Sequence, residues 1–191
     1  MCFDASFDRD FRHTTFVASD AKHIDEIALL GTAGDSFRRL TNYNAANENW
    51  QTGQPEVYCW TSTDGTPVEG ILTSPVNFEP GCKYPLLVVI HGGPIWVSLL
   101  CKYGDYDRKY YPVQQWVSRG AFILQPNYRG SAGYGQDFRA LNMRNLGAGD
   151  AWDILSGIDA LLIDKGWVDP GRVGSMGWSQ GDYISASWAC M

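Results

Sequence analysis

Along this chain the spacing of apolar residues changes character once, and each half predicts a different architecture. From residue 11 to about 60 the apolar positions fall in short runs separated by turn residues. Thr14–Ala18, Glu26–Leu30 and Phe37–Thr41 are the clearest of these, with a turn at Ala33-Gly34-Asp35-Ser36. Short, evenly spaced runs predict an antiparallel meander, as in a propeller blade. One or two such hairpins do not make a stable domain alone, so this half reads as the tail of something larger.

Beyond Val57 the runs lengthen. Val57–Trp60, the turn Thr63-Asp64-Gly65 and Val68–Leu72 predict a hairpin. Leu86–Ile90 is continuously apolar, which a strand covered on both faces requires. Ala121–Leu124 and Arg172–Met176 are two further strands of this group. Between them, Tyr110–Arg119 stops at Gly120, and Ala151–Lys165 stops at Gly166 with apolar residues at helical spacing. Trp116 and Trp152 on these helices are read as core residues. Strands alternating with helices predict an α/β fold with a mostly parallel sheet.

Composition narrows the partners. Apolar residues make up 45% and aromatics 14%, sufficient for a packed core. A formal charge of -6 and no basic cluster beyond Arg38-Arg39, read as a solvated turn, argue against nucleic acid. The five cysteines are scattered singly, which fits neither a zinc site nor a disulfide framework. The N-terminus has no signal-peptide pattern and no window reaches the ~18 apolar residues of a membrane span. The expectation is a soluble protein, cytoplasmic by default, with no membrane contact; oligomeric state is not legible.

Three motifs carry chemistry. Gly177-Trp178-Ser179-Gln180-Gly181 follows a predicted strand and precedes Asp182–Ala186, which can start a helix. A serine nucleophile projects from such a sharp turn, with Gly177 and Gly181 avoiding clashes and the helix N-terminus facing the developing oxyanion. His91-Gly92-Gly93-Pro94 follows the buried run Leu86–Ile90 and offers backbone N–H groups with no side chain in the way. The Gly93 and Gln180 N–H groups are the oxyanion-hole candidates. His91, Gly92 and Pro94 shape that loop, His91 as a hydrogen-bonded structural residue rather than a proton carrier. The third motif, Asn127–Gly135, places tight turns near the rim. Arg129 there has Asp150 and Asp153 as candidate carboxylate partners, read as structure rather than catalysis.

In order, these motifs resemble the prolyl oligopeptidase family of serine peptidases, particularly its acylaminoacyl-peptidase and dipeptidyl-peptidase branches. The resemblance is carried by Trp60–Gly65, Glu69–Leu72, Lys83–Pro85, His91–Pro94, Asn127–Gly135, Gly147–Asp150 and Gly177–Gly181, and covers about residues 56–187. Arg39–Asn42 resembles the end of the family's β-propeller. The resemblance implies an incomplete α/β-hydrolase fold preceded by a β-hairpin remnant of a propeller, with residues 1–55 as the propeller remnant and 56–191 as the first portion of the catalytic domain. It further implies hydrolysis of peptide bonds in short peptides: Ser179 attacks, a histidine takes its proton and an aspartate orients that histidine. No metal or organic cofactor is implied.

The chain departs from the pattern in two places. In this fold the order is serine, acid, histidine, yet residues 180–191 contain no histidine and no aspartate suited to the role. The resemblance therefore implies that these residues alone are inactive, or keep only the ~10³–10⁴-fold residual effect of an oxyanion hole. Asp182 stands where the family has glycine, either opposing an oxyanion or serving as a plain first-turn acid. The resemblance also fades over Ser187–Met191. A chain ending there would leave an apolar sheet edge and be aggregation-prone or partly molten. A carboxylesterase of the same fold and a non-catalytic fragment or pseudogene product remain open alternatives, and peptide specificity is not legible.

Overall fold

The computed structural model describes residues 2–20, 22–31, 37–101 and 111–189. Two sheets account for its strands. The first is an antiparallel meander in the order β1 (Cys2–Phe7), β2 (His13–Ala18), β3 (Glu26–Gly31) and β4 (Arg38–Arg39). The predicted runs at 14–18, 26–30 and 37–41 all contribute, with β2 and β3 in register from His13↔Gly31 to Ala18↔Glu26. The turn read at 33–36 lies outside the described residues. Arg38-Arg39 is a short exposed edge strand rather than a turn, because its backbone pairs with Ala28 and Leu29. Strand β1 was not legible: its residues are mostly exposed and a bulge between Phe3 and Ser6 breaks the alternation.

One buried carboxylate secures this sheet's end. Glu26, 1% exposed, accepts hydrogen bonds from the Asn44 backbone N (2.8 Å), Asn44 Nδ2 (2.9 Å) and Thr41 Oγ1. Burial favours its neutral form, but these donors outweigh it and hold the carboxyl below its usual range.

The second sheet has the order β5-β6-β8-β7-β9, built from β5 (Pro55–Thr61), β6 (Pro67–Thr73), β7 (Tyr84–Ile90), β8 (Phe122–Asn127) and β9 (Val168–Gly177). β5 and β6 form the predicted hairpin. β6 runs antiparallel to β8, whereas β7 is parallel to both β8 and β9. Four of the five strands therefore point the same way, and β6 alone is reversed. The sheet is mixed, since the hairpin supplies its first two strands.

Helices cover both faces, which explains the continuous apolar runs. Leu86, Val88 and Ile90 of β7, with Phe122 and Leu124 of β8, face a cluster completed by Ile154, Ile158 and Leu161 of α3 (Gly149–Asp164) and Ile184 of α4 (Gln180–Ala189). The alternate residues Val89 and Ile123 face Val113 and Val117 of α1 (Val113–Ser118) on the other side. Trp60 closes the first cluster, lying over Gly157 and donating its indole N–H to the Asp153 carbonyl at 2.7 Å.

Two helical expectations need correction. α1 begins only at Val113, because Pro112 sits at a non-helical ψ of 68 and disfavours helix in the residue before it; Tyr110 lies outside the described residues. Trp152 is 46% exposed, facing away from the sheet on α3, so only Trp116 packs against the core. A short helix, α2 (Gly135–Ala140), follows the glycine-rich motif and was not anticipated. No helix among the described residues is long and apolar enough to cross a membrane.

Leu124 is fully buried in the cluster between the sheet and α3. Leu124→Ala should cost about 2–5 kcal/mol, read as a lower urea midpoint with an unchanged slope.

Candidate active site

The end of β7 and the end of β9 lie side by side, because Ile90 pairs with Gly177 in parallel register. Two loops therefore leave the sheet together. One is His91-Gly92-Gly93-Pro94, and the other is the turn that carries Ser179 into α4.

Ser179 adopts φ +56, a left-handed conformation that costs a non-glycine residue on the order of 1 kcal/mol. Its surroundings enforce that turn. A Cβ on Gly177 would fall 2.3 Å from the Gly181 carbonyl carbon, and one on Gly181 would fall 2.0 Å from the Ile90 carbonyl oxygen. Only glycine permits this approach of α4 to β7. A Cβ on Gly92 would fall 2.7 Å from the Trp178 carbonyl oxygen and 3.2 Å from Ser179 Cβ, so the two loops touch. Ser179 is exposed, and α4 begins at Gln180 with Gly181 N and Tyr183 N donating back to Trp178 and Ser179 carbonyls. Among the described residues, neither the Gly93 nor the Gln180 backbone N–H donates to another backbone carbonyl.

His91 is held inside rather than at the serine. It is 3% exposed and stacks on Tyr128 with centroids 4.5 Å apart. Nδ1 lies 3.0 Å from the Gly92 carbonyl oxygen and Nε2 lies 3.0 Å from Ser131 Oγ. Burial disfavours the imidazolium and pushes the pKa down to about 4. The residue is thus neutral at pH 7 and ties the loop to Ser131 and Tyr128. Tyr128 donates its hydroxyl to the His91 carbonyl at 2.8 Å, and its own titration is driven upward by burial and by the nearby Asp150. Tyr128 and Ser131 were not singled out as His91's partners, since nothing in their spacing marks a contact 37 or 40 residues away.

Arg129 takes one of its two expected partners. Its backbone N and Nε donate to Asp153 Oδ2 (2.7 and 3.0 Å), and Nη2 donates to Asp153 Oδ1 at 2.7 Å. Nη1 reaches Asp64 Oδ2 at 2.9 Å, on the β5–β6 turn. The Arg129 guanidinium is the main reason that the Asp64 carboxyl stays well below the usual carboxylate range. Ser62 and Asp64 entered the sequence reading through the hairpin turn and the family motif, not as partners of Arg129, yet both contact this guanidinium. Asp150 is not an Arg129 partner. It is fully buried at the start of α3, where Oδ1 accepts from the Ala151 N–H (2.9 Å) and Oδ2 accepts from Gln180 Nε2 (2.7 Å).

The loop beyond Pro94 is tied to the third motif. Ser98 N donates to Asn127 Oδ1 (2.7 Å), Asn127 Nδ2 donates to the Ser98 carbonyl (2.9 Å), and Ala132 N donates to the Trp96 carbonyl (3.1 Å). Asp182 is exposed in the first turn of α4. His13 and His23 belong to the first sheet's region, each with Nδ1 against an aspartate, Asp8 and Asp20. Among the described residues, no grouping of His, Cys, Asp and Glu forms a metal site.

A serine at a strained strand-to-helix turn thus stands beside a glycine loop at one end of an α/β sheet. The chain belongs to the prolyl oligopeptidase family, whose profile matches residues 109–191. Mouse dipeptidyl peptidase 8 is 30% identical over 131 residues, covering 69% of this chain and 14% of that protein. An acylaminoacyl peptidase of Pyrococcus horikoshii superposes with a TM-score of 0.80 at 27% identity, covering 97% of this chain and 28% of its own. An acylaminoacyl peptidase in complex with Z-Gly-Gly-Phe-chloromethyl ketone superposes with a TM-score of 0.81 at 29% identity, over the same shares. The chain thus spans well under a third of each of these relatives.

Two outcomes are expected. Arg129→Met leaves the buried Asp153 without its cation and should cost about 3–5 kcal/mol in chemical denaturation. For His91, the unfolded chain binds the proton near pH 6.5 and the native one only near 4. Stability should therefore be fully present above pH 6.5 and fall as pH drops through that window, by up to about 3 kcal/mol. Urea midpoints followed against pH should show that slope, and His91→Gln should flatten it.

Proposed function

We propose that this chain carries the nucleophile and oxyanion-hole portion of a peptidase that cleaves peptide bonds in short peptides. Ser179 is the nucleophile, and the Gly93 and Gln180 N–H groups stabilise the tetrahedral oxyanion, a contribution of ~3 kcal/mol per donor in comparable sites. The observation that carries this reading is the positive φ of Ser179 between β9 and α4, with Gly92 packed against it. Family membership and a structural neighbour bound to a peptide derivative support a peptide substrate.

In the same reading, residues 1–55 form the last part of a β-propeller and residues 56–191 the first part of an α/β-hydrolase domain. The four-stranded meander and the β5–β9 sheet support that division. His91, Gly92, Pro94, Gly177 and Gly181 shape the site, while Arg129 and Asp150 brace it.

Hydrolysis also needs a base to take the Ser179 proton and an acid to orient that base. His91 cannot serve: its ring is engaged by Ser131 and Gly92 and is neutral and enclosed. Among the described residues, no side chain hydrogen-bonds Ser179 Oγ, so turnover by these 191 residues alone should be slight. The oxyanion pocket alone should still direct slow capture of an activated phosphonate.

A fluorophosphonate probe should label the 191-residue chain slowly at Ser179, and Ser179→Ala should remove the label. Peptide mapping by mass spectrometry reads the site; equal labelling of both chains would overturn the assignment.

A further inference from the structure

The elbow has an unassigned brace. Among the described residues, the fully buried Asp150 has no cation against it, and its oxygens accept from the Ala151 N–H and from Gln180 Nε2. It sits in the first turn of α3, where the helix dipole favours an anion. Gln180 is the residue after the serine, and the one whose backbone N–H is a proposed oxyanion donor. A side-chain amide tied to a fixed carboxylate restricts the rotation of its own backbone, and here that backbone adjoins a turn at φ +56.

The same segment touches α4 a second time. A Cβ on Gly147 would fall 2.5 Å from Tyr183 Cε1, so the loop entering α3 lies against the first turn of α4. Behind it, Gly149 packs on the Arg129 side chain, itself hydrogen-bonded to Asp153. Tension on the elbow is thus referred through Asp150 to the α3 start and to the ion cluster.

We infer that Asp150 is a positioning residue for the oxyanion site, its carboxylate holding the Gln180 side chain so that the Gln180 backbone N–H faces the cleft beside Ser179. This rests on the reading of Ser179 as the nucleophile. Asp150 touches no reacting atom; it acts only through Gln180. The corollary is specific. Removing Asp150 matters only while residue 180 has a side chain for it to hold.

The test is a double-mutant cycle on the intact 191-residue chain with Asp150→Ala, Gln180→Ala and the pair, adding Asp150→Asn. Two readouts are taken: the second-order rate of fluorophosphonate labelling, and the ¹⁵N–¹H resonances of the Gln180 backbone and side-chain amides. Asp150→Ala should slow labelling by about tenfold, below the ~10²–10³ cost of deleting an oxyanion donor outright. It should also shift both Gln180 amides. Asp150→Asn, which keeps an acceptor for Gln180, should fall between the wild type and Asp150→Ala. In the Gln180→Ala background, Asp150→Ala should have no further effect on labelling. Multiplicative losses in the double mutant, or Gln180 amides unmoved by Asp150→Ala, would overturn the inference. Should Asp150→Ala fail to fold, Gln180→Ala against Asp150→Asn decides the same point, because both leave the α3 start packed. If no variant, wild type included, labels at Ser179, the nucleophile reading fails while the resonance shifts still decide whether Asp150 holds Gln180.

Discussion

The parallel pairing of β7 with β9 is the constraint on which this molecule's site depends. Ile90 and Gly177 finish at one level, so the chain leaves both strands at the same rim. Side by side, the two exits leave no room for side chains at Gly92, Gly177 or Gly181. The strain at Ser179 is then a consequence of packing: α4 must close on the Ile90 carbonyl, and the residue between strand and helix absorbs the turn. Hydrophobic burial along β7 and β8 supplies the free energy that makes such closeness affordable.

How much of this was legible follows from the range of each signal. Strands buried on both faces announce themselves by continuous apolar runs: β7 was read to within two residues, and the first half of β8 was read while its polar end, Gln125–Asn127, was not. α3 was equally plain from apolar spacing and its glycine stop, whereas α4 was legible only as a helix start at Asp182–Ala186. Strand β9 shows the opposite case. It runs from Val168 through Pro170 and Gly171, residues that discourage a strand, and only the pairing with β7 extends it past the expected 172–176. The reversed β6 direction follows from its hairpin, yet its insertion beside β8 is a long-range choice that no local pattern encodes.

The site divides in the same way. Motif glycines report local crowding, so the meeting of the HGGP and GWSQG segments was anticipated from their place after strands. Partner choice among charged residues was only half legible. Arg129 had two candidate acids three residues apart on one helix, and geometry awards it Asp153 while Asp150 turns to Gln180. Asp64 was invisible as a partner because it lies 65 positions upstream, within a turn already explained by its own chemistry. Ser131 and Tyr128 likewise became His91's neighbours only through the fold.

The Arg129 cluster joins two regimes of electrostatics in one side chain. Its inner arm meets an aspartate wholly shielded from water, whereas the outer arm meets Asp64, whose side chain is 36% exposed. Dissolved ions screen the outer contact and scarcely reach the inner one. Raising the salt concentration therefore loosens the hairpin tip from the guanidinium while the strand-to-helix clasp stays shut. Ionic strength becomes a dial that acts on the hairpin tip and spares the buried pair beneath it.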